Sequence, residues 1–378
     1  MATGTVIGVE ATASRPSKAS FYRPELDILR FFAFFGIFLS HSLPLDPAIY
    51  SRYQLPHWFG QSMEVIAAFG RFGITLFFVL SGYLITTLLL RERWTKGDVD
   101  LRAFYFRRAL RIWPLYFLVL FLALILPWGG RLPIPYFLGY VLLVGNWLTT
   151  IWGAPASWAS ILWTIAMVQQ FYLFWPLVIK FFSRNARLYV AISMVLLAVV
   201  ARLYLAVGAL SSYTVYPDTI AELDSIGVGI LCALALKGSV PELAIGKRLL
   251  LVYTGFVLLL GCAYLGRVES PLFVVIGYPG AVVGCLALFL AICGTSFTAR
   301  PLVHLGKISY GLYVFHVLAL RMMGSAMGSK AGTPFRFLVY WCGSLLLTLA
   351  LASASYRWLE TPFLRIKQRY TTVKSRPV

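Results

Sequence analysis

Long apolar runs, broken by short polar and basic connections, organise this chain. Runs of spanning length fall near residues 26–45, 70–90, 112–128, 161–182, 188–208, 220–236, 248–266, 271–294, 308–325 and 335–357. Each run is continuous rather than alternating, and a helix that crosses a bilayer needs about 20 mainly apolar residues. The pattern predicts an all-α, polytopic membrane helix bundle with about ten transmembrane helices. It excludes a transmembrane β-barrel, whose strands alternate apolar and polar positions. An eleventh run, residues 136–150, is shorter and leads into the uncharged stretch IWGAPASWAS. Residues 136–160 are expected to re-enter the membrane without crossing it. They are also expected to line the cavity that the protein uses, because irregular backbone at membrane depth must be buried in protein or face a wet cavity.

Charge changes this picture by orienting it. With the N-terminus inside and residues 136–160 not crossing, 24 of the 33 Lys and Arg side chains fall in inside segments. Outside lie Arg52, Arg71, Arg131, Arg267, Lys330 and Arg336, while Arg30, Arg202 and Arg321 sit within runs. A full crossing at residues 136–150 would swap every later loop and destroy this bias. The positive-inside rule therefore favours ten spans with both termini cytosolic. The first 20 residues have no apolar core, so no cleaved signal peptide is expected. The organisation read from the chain is a disordered cytosolic tail (1–24), a membrane domain (25–363) and a basic cytosolic tail (364–378).

Composition agrees. The 378 residues are 60% hydrophobic and 12% charged, with mean hydropathy +0.79. The formal charge of +19 is accounted for by topology, so the expected partner is a lipid bilayer and not nucleic acid. Cys232, Cys262, Cys285, Cys293 and Cys342 all lie in apolar segments with no CxxC pair, and neither zinc nor a disulfide framework is expected. No phosphate-binding glycine loop, HExxH or GxSxG is present.

Three constellations carry candidate chemistry. The first is LDILRFFAFFGIFLSHSLPL, residues 26–45, which holds Arg30 and His41 in an otherwise apolar run. Eleven residues at about 100° each close to within roughly 20° of three turns, so both side chains share a face, about 16 Å apart along the axis. A charge inside a bilayer costs about 2.5–3.5 kcal/mol on insertion scales. A snorkelling arginine with a terminal histidine is the structural alternative. The second is FYFRRALRIWPLYF, where Arg108 and Arg111 form an RxxR pair with Arg107 beside them. Guanidinium forks bind phosphate oxygens bidentately, and a topology-fixing basic loop on anionic lipid is the alternative. The third is GKISYGLYVFH, in which Ser309, Tyr313 and His316 step by four and three residues and share a helix face. His316 there is either catalytic or a helix–helix hydrogen bond.

Taken in order, LDILR…SH, FFVLSGYLIT, RRALRIWPLY, WTIAMVQQFYLFWPL, GKISYGLYVFH and RWLETPF, which contains Glu360, resemble the acyltransferase 3 family across roughly residues 24–363. These are multispanning membrane acyltransferases that modify hydroxyls of O-antigen, peptidoglycan, exopolysaccharide, Nod factor and macrolides. The resemblance implies ten membrane helices, an acyl-CoA co-substrate entering from the cytosol and no permanently bound cofactor. It also implies a functional Arg30–His41 pair, a functional Arg108–Arg111 pair, and, in ELDSIGVG, the family's aspartate at Asp224. Some relatives carry a further soluble esterase-like domain, which is not expected here. One departure stands out. Relatives commonly read SLSVEEQFYLLWP where this chain reads TIAMVQQFYLFWP, so Val168 and Gln169 occupy the acidic positions.

The expected function is O-acyl transfer, with acetyl-CoA the expected donor, to a hydroxyl of a glycan, lipid-linked sugar or other acceptor, in a bacterial inner membrane. His41 is the expected base, since a neutral imidazole suits proton abstraction near pH 7. Arg30, Arg107, Arg108 and Arg111 are the expected donor-binding groups. A transporter or flippase, or a non-catalytic membrane partner in glycan assembly, would share the intramembrane charges.

Overall fold

The computed structural model describes residues 21–51, 55–126, 128–208, 216–267, 270–327 and 333–371. Among these there is no strand. The helices are α1 Pro24–Ser42, α2 Pro47–Ser51, α3 His57–Arg71, α4 Gly73–Lys96, α5 Leu101–Ile125, α6 Ile134–Val141, α7 Gly145–Trp152, α8 Leu162–Phe181 and α9 Arg184–Val207. They continue with α10 Leu223–Leu236, α11 Ile245–Leu265, α12 Tyr278–Ile292, α13 Arg300–Lys307, α14 Ser309–Met327, α15 Pro334–Ser355 and α16 Thr361–Arg369. A 3-10 turn, Trp158–Ile161, leads into α8, and π-helical turns Phe273–Gly277 and Tyr356–Glu360 precede α12 and α16.

Local chemistry explains the boundaries. Pro24 begins α1, with Glu25 and Asp27 in its first turn and His41 in its last, each placed with the helix dipole. Asp100 caps α5 by accepting from the Ala103 N–H, and Ser183 caps α9 by accepting from the Ala186 N–H. Gly97 ends α4 in the left-handed conformation (φ 85°) that a side chain rarely adopts.

Each of the ten apolar runs contains a helix among the described residues. Seven helical stretches among the described residues are long and apolar enough to cross a membrane, or eight if α13 and α14, bent by 72°, form one span. The expected ten is not reached by that measure for two reasons. The 19-residue α1 carries Glu25, Asp27 and Arg30, and α10 is only 14 residues long.

Contacts sort the helix ends into two groups. At one end Arg93 donates to the Ile179 and Lys180 carbonyls, Lys180 pairs with Asp98, Arg248 donates to the Ala291 and Cys293 carbonyls, and Gly294 N–H donates to Glu25. At the other, Arg267 pairs with Glu64, Tyr216 donates to the Arg71 carbonyl and Asn146 donates to Thr219. The chain thus alternates between a basic end and an opposite end.

Two crossings need glycine. Gly82 and Gly229 let α4 and α10 meet backbone to backbone, since a Cβ at either would overlap a carbonyl of the other helix. At Gly306, a Cβ would strike the carbonyl of Asp27, so the end of α13 seats against the start of α1. Large buried side chains fill the middle, including Phe34, Phe38, Trp158 and Trp175, whose indole N–H donates to Thr86.

Residues 136–160 form the short helices α6 and α7 and the 3-10 turn. Eight residues rise about 12 Å, far less than a bilayer core, which fits a segment that does not cross. Its expected place in the cavity wall is not found. The segment instead braces other helices: Tyr116 donates to the Tyr140 carbonyl, and Gln170 donates to the Leu143 carbonyl and to Asn146. These bonds hold the Tyr140 and Leu143 carbonyls and the Asn146 side chain against α5 and α8. The expected tails also differ in part. Residues 21–23 pack into the molecule, and residues 364–369 of the basic tail continue the helix that begins at Thr361; residues 1–20 and 372–378 lie outside the described residues.

Candidate active site

A cavity of about 220 Å³ opens between α1, α4, α5, α8 and α14 near the basic end. Arg23, Arg30, Arg108, Arg111 and Lys367 contribute cationic side chains to its wall, with Asp27 among them. Toward the interior the wall is formed by Ser81, Thr164, Val168, Gln169, Ser309 and Tyr313. None of residues 136–160 is among the lining side chains.

Neighbouring side chains position two of these cations. Arg30 donates to Asp27 at 2.9 Å, one turn back on α1, and Asp27 also accepts from the Tyr22 hydroxyl at 3.1 Å. Arg108 lies over the rings of Phe104 and Tyr172, 5.4 Å from each centroid. Phe104 is one turn earlier on α5 and Tyr172 comes from α8, so two aromatic faces hold the guanidinium. Its Nε is buried with no hydrogen-bond partner, which leaves a donor unsatisfied at the edge of the cavity.

Arg107 does not belong to this group. It pairs with Glu92 at 2.7 Å and donates to the Tyr370 carbonyl at 2.9 Å, tying α5 to α4 and to the end of α16. Consecutive helix residues point about 100° apart, so the RR doublet splits, one arginine to the cavity and one to the scaffold.

Tyr313 divides the cavity from a second feature. Its hydroxyl is bonded to Thr164 Oγ1 at 2.7 Å and donates to the Ile161 carbonyl at 3.0 Å. One turn further along α14, His316 is fully buried. Its Nδ1 lies 2.5 Å from the Tyr313 carbonyl, and its Nε2 lies 2.9 Å from Nδ1 of His41. His41 is exposed at the end of α1 away from the cations. The face shared by Arg30 and His41 is therefore real in its consequences: one end meets the cationic wall and the other meets α14.

Gln169 lies in the cavity wall, 5% exposed, with its Nε2 lacking a partner. Asp224 and Glu360 lie elsewhere. Asp224 takes both Nη atoms of Arg202, at 2.5 and 2.9 Å, and Glu222 approaches the same guanidinium at 3.8 Å. Arg202, Glu222 and Asp224 are all buried. Glu360 is buried in the π-turn before α16, accepting from Ser355.

An acyltransferase domain, that of the acyltransferase 3 family, matches residues 23–357. The chain belongs to the acyltransferase 3 family. Like the helices described above, that membership makes it a multi-pass membrane protein. Among its relatives, the O-acetyltransferase OatA of Staphylococcus aureus is 26% identical over 370 residues, covering 90% of this chain and 57% of that protein. A Bacillus subtilis protein named "Putative peptidoglycan O-acetyltransferase YrhL" is 27% identical over 331 residues, covering 78% of this chain and 50% of its own. The chain thus spans about half the length of the curated relatives it matches. No solved structure matches it.

For this acyltransferase 3 chain, sequence reasoning missed Arg23, Lys367 and Tyr172. Tyr172 stands in the quoted QQFYLFWP motif, and its distance from Arg108 closes only when α5 packs on α8. Lys367 had no signal beyond lying in a basic tail, because its approach depends on the turn at residues 356–360.

Proposed function

We propose that this protein is a membrane O-acyltransferase that moves an acetyl group from acetyl-CoA to a hydroxyl of a glycan or glycan precursor. One observation carries the reading: α1 presents a cationic cavity at one end and an exposed, hydrogen-bonded histidine at the other. In this reading both termini are cytosolic, the protein sits in the cell membrane and the cavity opens to the cytosol. Arg108 and Arg111 bind the phosphates of the donor through forked hydrogen bonds, assisted by Arg30 and Lys367. The acyl group, at the end of the donor's flexible arm, passes Tyr313 toward the histidine pair.

His41 takes the acceptor's O–H proton, and the oxygen attacks the acyl carbonyl carbon. The carbon–sulfur bond breaks, and the departing thiolate receives a proton from the imidazolium, so the enzyme is returned unchanged. This neutral base needs no carboxylate at Val168 or Gln169. Support comes from family membership and from relatives named O-acetyltransferases.

The test uses purified protein in lipid vesicles with radiolabelled acetyl-CoA and cell-envelope glycan. Covalent label on glycan from wild type, lost in His41→Ala, is the expected result. Movement of glycan or donor across the vesicle without covalent label would replace this reading with a transporter.

A further inference from the structure

We propose that His316 is a positioning residue that holds His41 in the single tautomer able to act as a base. The proposal rests on the reading of His41 given above. A backbone carbonyl can only accept, so the His316 Nδ1 beside the Tyr313 carbonyl must carry a hydrogen. His316 is 0% exposed, edge-on to Phe34 (centroids 6.0 Å, 81°) and beside the ring of Tyr313 at 5.6 Å. A second proton on a ring so enclosed would bury an unpaired charge. His316 Nε2 is therefore bare and accepts.

The partner 2.9 Å away is Nδ1 of His41, which must then be the donor. A neutral imidazole has one N–H, so the lone pair of His41 stands on Nε2. That is the nitrogen left over for an acceptor hydroxyl, on a side chain exposed to the opposite end from the cations. When Nε2 takes the proton, the Nδ1–H bond to His316 becomes charge-assisted and strengthens. No proton needs to leave the pair sideways, because the carbonyl of Tyr313 ends the chain of hydrogen bonds. Among the described residues, the charged or titratable groups acting on His41 from the helices around it are His316 of α14 and Arg71 of α3. Neither is a carboxylate, so a neutral ring does the orienting that an acid does in many hydrolase triads.

His316→Leu fills the same buried space with an apolar side chain and removes the acceptor. His316→Gln restores an acceptor oxygen. With acetyl-CoA and an accepted glycan, His316→Leu should lower kcat by roughly 10–100-fold, the range for removing the partner that orients a functional histidine. The KM for acetyl-CoA should stay unchanged, and His316→Gln should recover most of the loss. In a His41→Gln background, His316→Leu should have no further effect.

A second measurement needs no activity. Protein with 15N-labelled histidine, compared with His41→Gln to assign the ring, should show wild-type His41 as the Nδ1–H tautomer. Wild-type kcat in His316→Leu, equal losses in the Leu and Gln variants, or His41 found as Nε2–H would each overturn the proposal. Failure of the base reading itself looks different: His41→Ala would then remain active whatever His316 does.

Discussion

Replacing Arg108 tests whether the cationic cavity binds the donor by specific hydrogen bonds or only by diffuse charge. Arg108 is held between Phe104 and Tyr172 with an unpartnered Nε at the cavity edge. Arg108→Gln removes the charge and the fork while keeping a polar side chain of similar reach. A hydrogen bond to a charged group contributes about 1.5–3 kcal/mol, which converts to roughly 10- to 150-fold in Kd for acetyl-CoA. Arg108→Lys keeps the charge but loses planar stacking and bidentate geometry, so its loss should be intermediate. Arg107→Gln is the internal comparison. Its guanidinium is spent on Glu92 and the Tyr370 carbonyl outside the cavity, so it should lower thermal stability while leaving donor affinity within about twofold. Calorimetric titration of acetyl-CoA into detergent-solubilised protein reads the affinities, and melting in detergent reads the stability. Equal weakening in Arg108→Gln and in Arg102→Gln, an exposed arginine in the first turn of α5, would refute the argument. The helix would then act as an unspecific basic patch.

Asp224→Asn or Arg202→Met alone should destabilise the protein by about 3–5 kcal/mol, because each strands a buried charge; melting in detergent measures it, and unchanged melting with lost transfer would instead make Asp224 a functional group. His41→Gln should slow transfer by about 10²–10⁴-fold, the contribution of a general base, with acetyl-CoA affinity unchanged because Arg30 is about 16 Å away along α1; full activity in His41→Ala would end that assignment. Gln169→Glu puts a carboxylate into the cavity wall and should change the acetyl-transfer rate only modestly if His41 works without one. An inactive wild type switched on by this change would mark the chain as a degenerate enzyme with a binding role. A cysteine at Thr95 should be shielded from an impermeant thiol reagent in intact cells and one at Ser51 should react, and labelling at Thr95 would invert the proposed orientation.

Much of this molecule was legible in one dimension. Continuous apolar runs separated by basic connections specify membrane helices, since lipid offers no partner for an unpaired backbone group and each run must satisfy its own. Helical periodicity likewise put Arg30 and His41 on one face, and it put Ser309, Tyr313 and His316 on another, because both are properties of a single helix.

What crosses from one helix to another was not legible. That the two faces meet, His41 against His316 across 275 positions of chain, depends on close packing at Gly306 and Gly36, where α1 seats against α13 and α3. The separation of Arg107 from Arg108, scaffold from cavity, depends on where Glu92, Tyr172 and Tyr370 arrive from α4, α8 and the end of α16. That Asp224 meets Arg202, 22 positions earlier, in a buried pair was likewise not legible, because the two lie on different helices. Residues 136–160 were expected at the cavity because irregular backbone at membrane depth must be buried in protein or face a wet cavity, and packing took the first course, with partners in Tyr116, Gln170 and Thr219. A sequence states what each side chain can donate, accept or bury; which of those capacities is consumed by a neighbour is decided only when the helices pack.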